Sequence, residues 1–544
     1  MGIAGALFAI AAAAVVAAWA WLGASVQMPP SPLASGEKLY CVSYTPFRGS
    51  QSPLGPEVPV DPRQIDEDLA QLKHVTDCVR TYSVDYGLDQ IAEIAKRHGI
   101  KVLQGLWLSN LPERSRWQVA TAIALAKRFP DVIAAVIVGN EVLLRGEMAA
   151  PDLVRTIREV KSQVSMPVSY ADVWEFWLRN RDVASAVDFI TIHILPYWED
   201  FPIPAQDAAA HVGAIRAQVV AAFPGKDVFV GEFGWPSAGR MREGALPSPV
   251  NQARTMHEVL EHAKRENYRV NLIEAYDQPW KRQLEGTVGG HWGLFGAYRR
   301  EAKFTWGGVV SNHPQWHGQA AGGVAFAAVI FATALAVGRR MKATGDVAGW
   351  LRIAAIATAP GILIGWTLAN VPLESLTVGD WLRSLAWAAT ALVSPVVAAV
   401  AVVLGTTAPT FAHVLGRAAQ RPRDPLALAL GVLRIALAVL AVQAALGLVF
   451  DPRYRDFLFA PLTAATVPLL LATRGKLAMK ENLLGRWKRR LQAPAAETAV
   501  AATLTVSAIY IVGNESFANW QALWFAAALL ALAFTLLQVQ DAPG

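Results

Sequence analysis

Two stretches of this sequence, Val138-Gly139-Asn140-Glu141 and Val230-Gly231-Glu232-Phe233-Gly234-Trp235-Pro236-Ser237, each place a glutamate directly after an apolar, β-branched run. Such runs are typical of buried parallel strands, and in a closed α/β barrel the residues that follow the strands line the mouth. Two glutamates facing each other across such a mouth are what the cleavage or remaking of a glycosidic bond requires. The two stretches therefore predict both a fold and a chemistry.

The two stretches belong to a repeat of eight short apolar runs, each followed by a segment with helical periodicity. The predicted strands cover residues 39–44, 78–82, 102–107, 134–138, 168–170, 189–194, 228–230 and 270–275. Eight such units favour an α/β fold of the closed (β/α)8, or TIM barrel, type. An open doubly wound sheet is the alternative, but its first strand is usually followed by a glycine-rich phosphate turn. Here that turn reads Thr45-Pro46-Phe47-Arg48-Gly49.

Aromatic and polar side chains concentrate where the predicted strands end. The candidates are Tyr44, Tyr82, Trp107, Asn140, Glu141, Asp172, Trp174, His193, Tyr197, Glu232, Trp235, Glu274, Asp277 and Trp280. Sites of this composition pair a few polar groups with aromatic walls, and aromatic rings stack on the apolar faces of sugars. The residue types favour a carbohydrate site.

These motifs resemble those of glycoside hydrolase family 17, the β-1,3-glucanase family of retaining (β/α)8 enzymes. The resemblance covers residues 38–312 and is carried by residues 138–142, 231–237, 275–281 and 291–295. It implies that Glu141 is the general acid/base and Glu232 the nucleophile. The chain also resembles membrane-bound bacterial members of the family that remodel β-glucan during its synthesis, including the enzymes that make rhizobial cyclic β-1,3/1,6-glucans.

Elementary chemistry sets further expectations for the two glutamates. An acid that holds its proton near neutral pH needs an apolar or anionic neighbourhood that raises its pKa, whereas a nucleophile must stay ionised and accept hydrogen bonds. We expect Tyr197 to donate such a bond to Glu232 and Asn140 to bind the sugar 2-hydroxyl. In a retaining enzyme the two carboxyl groups lie about 5–5.5 Å apart.

Several strand-end residues have two interpretations. Glu274 is either a third active-site acid or the salt-bridge partner of Lys281 or of an arginine. Asp172 either forms a sugar subsite with Trp174 or caps a helix. We expect His193 to be a hydrogen-bonded core residue. The remaining expected substrate-binding residues are Asp277, Trp280, Lys281 and Trp292, the last combining packing with ring stacking.

The two cysteines, Cys41 and Cys78, lie at the start of neighbouring predicted strands. Adjacent parallel strands rarely give good disulfide geometry, so buried free thiols are favoured over a disulfide. No Cys/His spacing resembles a metal site, and the sequence predicts neither a metal nor another cofactor.

Outside the predicted barrel the chain is strongly apolar. Residues 3–26 form a run longer than the roughly 7–15-residue core of a signal peptide, which favours a retained anchor over residues 1–27 against a cleaved signal. Residues 28–37 read as a Pro-rich linker. A seven-helix transmembrane region is expected within residues 319–538. Its predicted spans lie near 319–337, 350–369, 383–404, 426–449, 457–473, 497–513 and 520–538.

The basic residues of this apolar region alternate between its loops. Three lie at 339–342, three at 417–423 and seven between Arg474 and Arg490, whereas the intervening side has only Arg453 and Arg455. The positive-inside rule places the basic loops and both termini in the cytoplasm and the barrel outside it, in the periplasm of a bacterial inner membrane. The net charge of +6 is therefore interpreted as a topology signal, and no nucleic-acid partner is expected.

Three functions remain open at this stage. The first is a membrane-bound transglycosylase that branches, elongates or cyclises β-1,3-glucan, including transfer that forms β-1,6 links. The second is an endo-β-1,3-glucanase, in which water instead of a sugar hydroxyl attacks the glycosyl-enzyme. The third is a sugar-binding module on a transport or synthase-docking bundle. The expected partners are β-glucan, the lipid bilayer and a membrane glucan synthase.

Overall fold

The computed structural model describes residues 2–55, 58–298, 300–343, 346–417, 421–473 and 494–538. The chain divides into two units. One is Val26–Val310, and the other combines Met1–Ser25 with Ser311–Gly544.

The unit Val26–Val310 contains a closed barrel of eight parallel strands, as the sequence predicts. After a two-residue strand β1 (Val26–Gln27), the barrel strands follow one another in chain order, and the last pairs with the first. They are β2 Cys41–Ser43, β3 Cys78–Arg80, β4 Lys101–Leu106, β5 Ile133–Asn140, β6 Val168–Val173, β7 Ile190–His193, β8 Val228–Phe233 and β9 Val270–Leu272. Each strand is buried on both faces, which is why the sequence shows apolar runs without alternation.

A layer of helices surrounds the barrel. The helices are α2 Pro62–Leu72, α3 Ile91–His98, α4 Pro112–Arg128, α5 Ala150–Lys161, α6 Trp174–Arg179, α7 Ala208–Ala222, α8 Pro249–Arg265 and α9 Arg282–Gly289. Proline at the first position and a capping side chain fix two of their starts. Asp61 accepts from the Arg63 N–H before α2, and Ser248 accepts from the Asn251 N–H before α8.

The two cysteines form a disulfide, so the expectation of free thiols is wrong. Val42 pairs with Val79, which places Cys41 directly beside Cys78 at a Cα–Cα distance of 4.4 Å. Both side chains point into the barrel interior, where they pack with Leu103 and Phe229. Because the two residues share register and direction, their separation reaches the range that a disulfide needs.

The residues before the barrel pack against it. β1 pairs with β10 (Val309–Val310), and Met28 is buried beside Val250 and Val310. The start of the Pro-rich segment is thus part of the folded unit.

The second unit is helical. Its helices are α1 Ile3–Leu22, α10 Trp316–Arg340, α11 Val347–Glu374, α12 Val378–Leu404, α13 Phe411–Leu415, α14 Pro425–Phe450, α15 Phe459–Ala472, α16 Ala495–Glu515 and α17 Trp520–Leu537. Seven of these described helices are long and apolar enough to cross a membrane. The exceptions are α13 and α15. With 14 residues, α15 is about 21 Å long, less than the roughly 30 Å of a hydrocarbon core. The basic segment 474–490 lies outside the described residues.

Candidate active site

A β-bulge aims Glu232 into the barrel. In β8, Val228 and Val230 pack outwards, whereas Phe229 lies in the interior. Strict alternation would turn Glu232 outwards, but the register shifts so that Glu232 pairs with His193. Glycine is required at 231, because a Cβ there would lie 2.2 Å from Thr191 Cγ2. The bulge therefore re-aims the carboxylate, as bulges beside active sites commonly do.

A second irregularity places Asn140 and Glu141 at the mouth. The pairing of β5 with β6 shifts between Ile137 and Asn140, at the point where Gly139 has a φ of +88°. Glu141 follows in the left-handed region with a φ of +54°, a conformation that is uncommon for a residue with a side chain. Its N–H is held by the Ala171 carbonyl at 2.8 Å.

Arg80, on β3, connects the carboxylate of β8 to the amide of β5. Its guanidinium is fully buried and donates to Glu232 Oε1 at 3.0 Å and to the Gly231 carbonyl at 2.7 Å. The other amino group donates to Asn140 Oδ1 at 2.7 Å and to His193 Nε2 at 3.2 Å. A guanidinium at these distances makes charge-assisted hydrogen bonds that fix a neighbouring carboxylate in place.

His193 bridges the two glutamates. Its Nδ1 lies 2.8 Å from Glu141 Oε1, and its Nε2 lies 3.4 Å from Glu232 Oε1. Because Arg80 can only donate, Nε2 must accept, and the ring proton is on Nδ1. His193 therefore donates to Glu141. It is buried and hydrogen-bonded, as expected, but its partners are the two candidate catalytic groups.

The pKa of Glu141 is lowered from its ordinary value, which is opposite to our expectation. Burial acts to raise the pKa, but the hydrogen bond that His193 donates, together with the positive charges of Arg145 and Arg80, outweighs it. A donor that stabilises the ionised carboxylate has this effect. The free site therefore holds Glu141 as a base.

The two carboxylates have the spacing of a retaining enzyme. One side-chain ligand atom each from Glu141, His193 and Glu232 lie within 4.8 Å of one another. This is close to the roughly 5–5.5 Å of retaining enzymes and well below the roughly 6.5–9.5 Å of inverting ones. The same three residue types can ligate a metal ion. However, the Arg80 guanidinium already bonds to two of them and supplies the positive charge there.

Four of the expected aromatic residues are partly exposed: Tyr82, Trp107, Trp174 and Trp280. Tyr82 shares a 2.6 Å hydrogen bond with Ser43, and Arg145 lies 4.0 Å from the centre of the Trp107 ring. The Trp174 indole donates to Glu199, and the Trp280 indole donates to Gln278. These contacts fix the rings while leaving part of each accessible.

Four other expected sugar-binding aromatics are buried and cannot stack on a sugar in this structure: Tyr44, Tyr197, Trp235 and Trp292. Tyr44 follows the inward-facing Ser43, so it points outwards and donates to Asp68 at 2.9 Å. The Tyr197 hydroxyl donates to the Arg240 carbonyl at 2.9 Å, so it is not the donor to Glu232. Trp235 donates to the Leu246 carbonyl. These side chains hold the loops in place.

The remaining predicted acids are held by neighbouring groups. Lys281 Nζ donates to Glu274 Oε1 at 2.8 Å, which selects the salt bridge from the two interpretations of Glu274. Asp277 accepts from Lys303 and from the Gly293 N–H.

Asp172 is buried and does not cap a helix. It accepts from the Tyr170 hydroxyl and the Val173 N–H, and α6 is capped at Val173 instead. Burial, reinforced by the charge of Glu141, raises the pKa of Asp172 to about 6.

Sequence reasoning missed three charged residues of the site: Arg80, Arg145 and Glu285. Arg80 could have been identified from the sequence, because a charged residue within a predicted buried strand needs a partner. Arg145 donates to the carbonyls of Asn140 and Leu108 and is revealed only by the folded turn after Glu141. Burial raises the pKa of Glu285, on α9, to about 7, and the charges of nearby glutamates add to this shift.

Comparison with known proteins identifies relatives of the barrel. Residues 41–293 match the BtgE/BtgC glycoside hydrolase domain. A glucan 1,3-beta-glucosidase of Arthroderma benhamiae is 28% identical over 264 residues, covering 44% of this chain and 83% of that protein. A protein of the same name from Saccharomyces cerevisiae is 26% identical over 252 residues, covering 42% and 80%.

Among solved structures, a glycoside hydrolase family 17 beta-1,3-glucanosyltransferase from Rhizomucor miehei is 27% identical with a TM-score of 0.43, covering 49% of this chain and 97% of that one. The carboxylate pair and the matched domain lead to one conclusion: the barrel is a glycoside hydrolase domain, and the chain is an enzyme with the carboxylate spacing of the retaining class.

Proposed function

We propose that this chain is a membrane-bound retaining transglycosylase that acts on β-1,3-glucan. The observation that carries the proposal is the joined pair of carboxylates, Glu141 and Glu232, connected through His193 and Arg80. The choice of β-1,3-glucan rests on the relatives named glucan 1,3-beta-glucosidase, whose similarity covers the barrel.

The reaction proceeds in two displacements. The Glu232 carboxylate attacks the anomeric carbon, the glycosidic C–O bond breaks, and Glu141 gives its proton to the departing oxygen. In the second step Glu141, now ionised, removes the proton from an acceptor hydroxyl, whose oxygen attacks the anomeric carbon and releases Glu232. Arg80 holds the Glu232 carboxylate in position for the first attack.

The lowered pKa of Glu141 in the free site has a consequence for the first step. Its side chain is 23% exposed, so a bound glucan removes the water that solvates the carboxylate. Loss of that water disfavours the ionised form and raises the pKa. Protonation of Glu141 therefore accompanies substrate binding, and the free-enzyme state returns once the product leaves.

Asn140 is placed to hold the sugar at the cleavage point. Its Oδ1 is used by Arg80, while its Nδ2 makes no hydrogen bond within the described part of the chain. We assign Nδ2 to the sugar 2-hydroxyl, a contact that strengthens in the transition state. The exposed parts of Tyr82, Trp107, Trp174 and Trp280 provide the stacking surfaces, with the Glu274–Lys281 pair beside them.

The apolar helices outside the barrel favour transfer over hydrolysis. Seven helices among the described residues could cross a membrane, and a scavenging secreted glucanase needs no such region. The products we propose are branched, elongated or cyclised β-1,3-glucans, including β-1,6-linked ones. An endo-β-1,3-glucanase with the same carboxylates is the second candidate. A barrel that only binds sugar for a transport or synthase-docking bundle is the third.

We place the protein in a bacterial inner membrane, with the barrel in the periplasm and both termini in the cytoplasm. The alternating basic loops support this orientation. In this orientation the seven long apolar helices and the shorter α15 all cross the membrane, which makes eight spans. A partner synthase supplies the glucan chain, and the bundle is its docking surface. Purification from native membranes without any glucan synthase would argue against that partnership.

Incubation of the full chain with a β-1,3-gluco-oligosaccharide tests the activity. Products are measured by mass and by NMR of the new linkages, with Glu232→Gln as the control for background activity. We expect products longer than the substrate. Only shorter β-1,3 products would identify the hydrolase instead, and no reaction with retained oligosaccharide binding would identify the binding module.

A further inference from the structure

The helical unit contains a cavity of about 510 Å³ between α10, α11 and α12, well within the usual size of a ligand site. Its inner wall is apolar and includes Ala334, Ile353 and Val402. Its outer rim is formed by charged residues at the end of α10 and the start of α11. The cavity therefore has an apolar interior and a charged entrance.

Two cations stand at the entrance. Arg339 lies in the last turn of α10, Lys342 follows that helix, and both side chains are exposed. Within the described ranges of the chain neither has an ion-pair partner. The acidic residue at the rim, Asp346, is already engaged, because its Oδ1 accepts from the Gly349 N–H at 2.7 Å. The rim therefore carries two positive charges against the single negative charge of Asp346.

The cavity lies at the ends of helices that could cross a membrane, and such ends lie at the depth of lipid headgroups. Trp350 lines the cavity and stacks on Phe331, with ring centroids 6.3 Å apart. Tryptophan is enriched at that depth. The depth of the cavity in the membrane, its apolar wall and the positive charges at its rim all match a molecule that has a phosphate at one end and hydrocarbon at the other.

We propose that this cavity binds an anionic phospholipid, with its phosphate between Arg339 and Lys342 and an acyl chain along the wall formed by Ala334, Ile353 and Val402. Basic pockets between transmembrane helices on the cytoplasmic side bind anionic headgroups by this combination. The inference rests on the proposed membrane location and is independent of the reaction in the barrel.

The test uses the full chain purified in detergent, with native mass spectrometry in the presence of phosphatidylglycerol or phosphatidylcholine. The wild type should bind phosphatidylglycerol preferentially. Because each basic residue contributes about fivefold to the binding of an anionic lipid, the double variant Arg339→Gln/Lys342→Gln should bind it about 25-fold more weakly. An unchanged midpoint of thermal unfolding of the full chain in detergent, followed by circular dichroism of its helices, shows that the variant is folded.

Arg340→Gln is the matched control, because Arg340 is adjacent in sequence but does not line the cavity. It should bind phosphatidylglycerol like the wild type. Equal loss in this control, or undiminished binding in the double variant, would overturn the site. Competition by millimolar inorganic phosphate would also overturn it, in favour of a soluble anion. Release of the chain from membranes by alkaline carbonate would instead refute the membrane location itself.

Discussion

His193 Nδ1 donates a 2.8 Å hydrogen bond to Glu141 Oε1, so the imidazole stabilises the ionised form of the glutamate that must later act as an acid. The orientation follows from Arg80, which donates to the other ring nitrogen. The histidine thereby links the charge state of Glu141 to the group that fixes Glu232. This connection makes the pH dependence of the enzyme sensitive to a residue that touches neither sugar nor leaving group in the proposed mechanism.

Replacement of His193 by alanine should move the alkaline limb of the kcat/KM profile to higher pH. Loss of the N–H donor removes stabilisation of the ionised carboxylate, so the pKa of Glu141 rises and the acid keeps its proton to higher pH. A hydrogen bond to a charged group contributes about 1.5–3 kcal/mol, which corresponds to a shift of about one to two pH units. A purely structural role would lower the rate at all pH values and leave the limb in place.

Replacement of Arg80 by methionine should lower the free energy of unfolding by about 3–5 kcal/mol, because it leaves the buried Glu232 without its counterion. The measurement is chemical denaturation of the purified chain, followed by tryptophan fluorescence. Arg97→Met is the control, since the Arg97–Asp66 pair is exposed and an exposed pair contributes about 1 kcal/mol or less. Equal effects of the two substitutions would contradict the assignment of Arg80.

Arg145→Gln should lower kcat about 100-fold while the chain stays folded. Arg145 holds the Asn140 and Leu108 carbonyls and covers one side of Trp107. Its loss lets Glu141 shift, and a displacement of about 1 Å is enough for a loss of that size. The exposed Arg155→Gln is the control. Steady-state kinetics with a gluco-oligosaccharide gives the comparison, and equal kcat values for the two variants would exclude this positioning role.

The disulfide between Cys41 and Cys78 should stabilise the barrel by about 4 kcal/mol, the value expected from loop-closure entropy for a bridge spanning 37 residues. Cys41→Ser/Cys78→Ser should lose that free energy of unfolding in denaturant titrations. Treatment of the wild type with reductant should reproduce the loss, and should have no effect on the double variant. A wild type insensitive to reductant would show that no bridge forms.

The barrel was predictable from sequence because its strands are buried on both faces and therefore appear as uninterrupted apolar runs. Side-chain direction was not predictable, because it depends on register. The bulges near Gly139 and Gly231 turn Asn140 and Glu232 inwards, against the alternation of the strands. Tyr44 lies at a strand end but points outwards.

For the site, too, the residue types could be predicted from the sequence, whereas the contacts between them could not. Glu141 and Glu232 were identifiable from their motifs, and the structure brings them together. Arg80, which joins Glu232 to Asn140, lies inside the predicted strand 78–82 and therefore does not belong to the strand-end residues that the sequence predicts for the site. The disulfide was misjudged for a related reason, since pairing Cys41 with Cys78 requires the exact register of β2 and β3.

The most direct measurement is to trap the glycosyl-enzyme. The full chain is treated with 2-deoxy-2-fluoro-β-glucosyl fluoride, which slows the second displacement, and its peptides are then analysed by mass spectrometry. We predict one added sugar residue on the peptide that contains Glu232, and no addition in Glu232→Gln. Labelling at another carboxylate, or turnover of glucan by Glu232→Gln at the wild-type rate, would contradict the account.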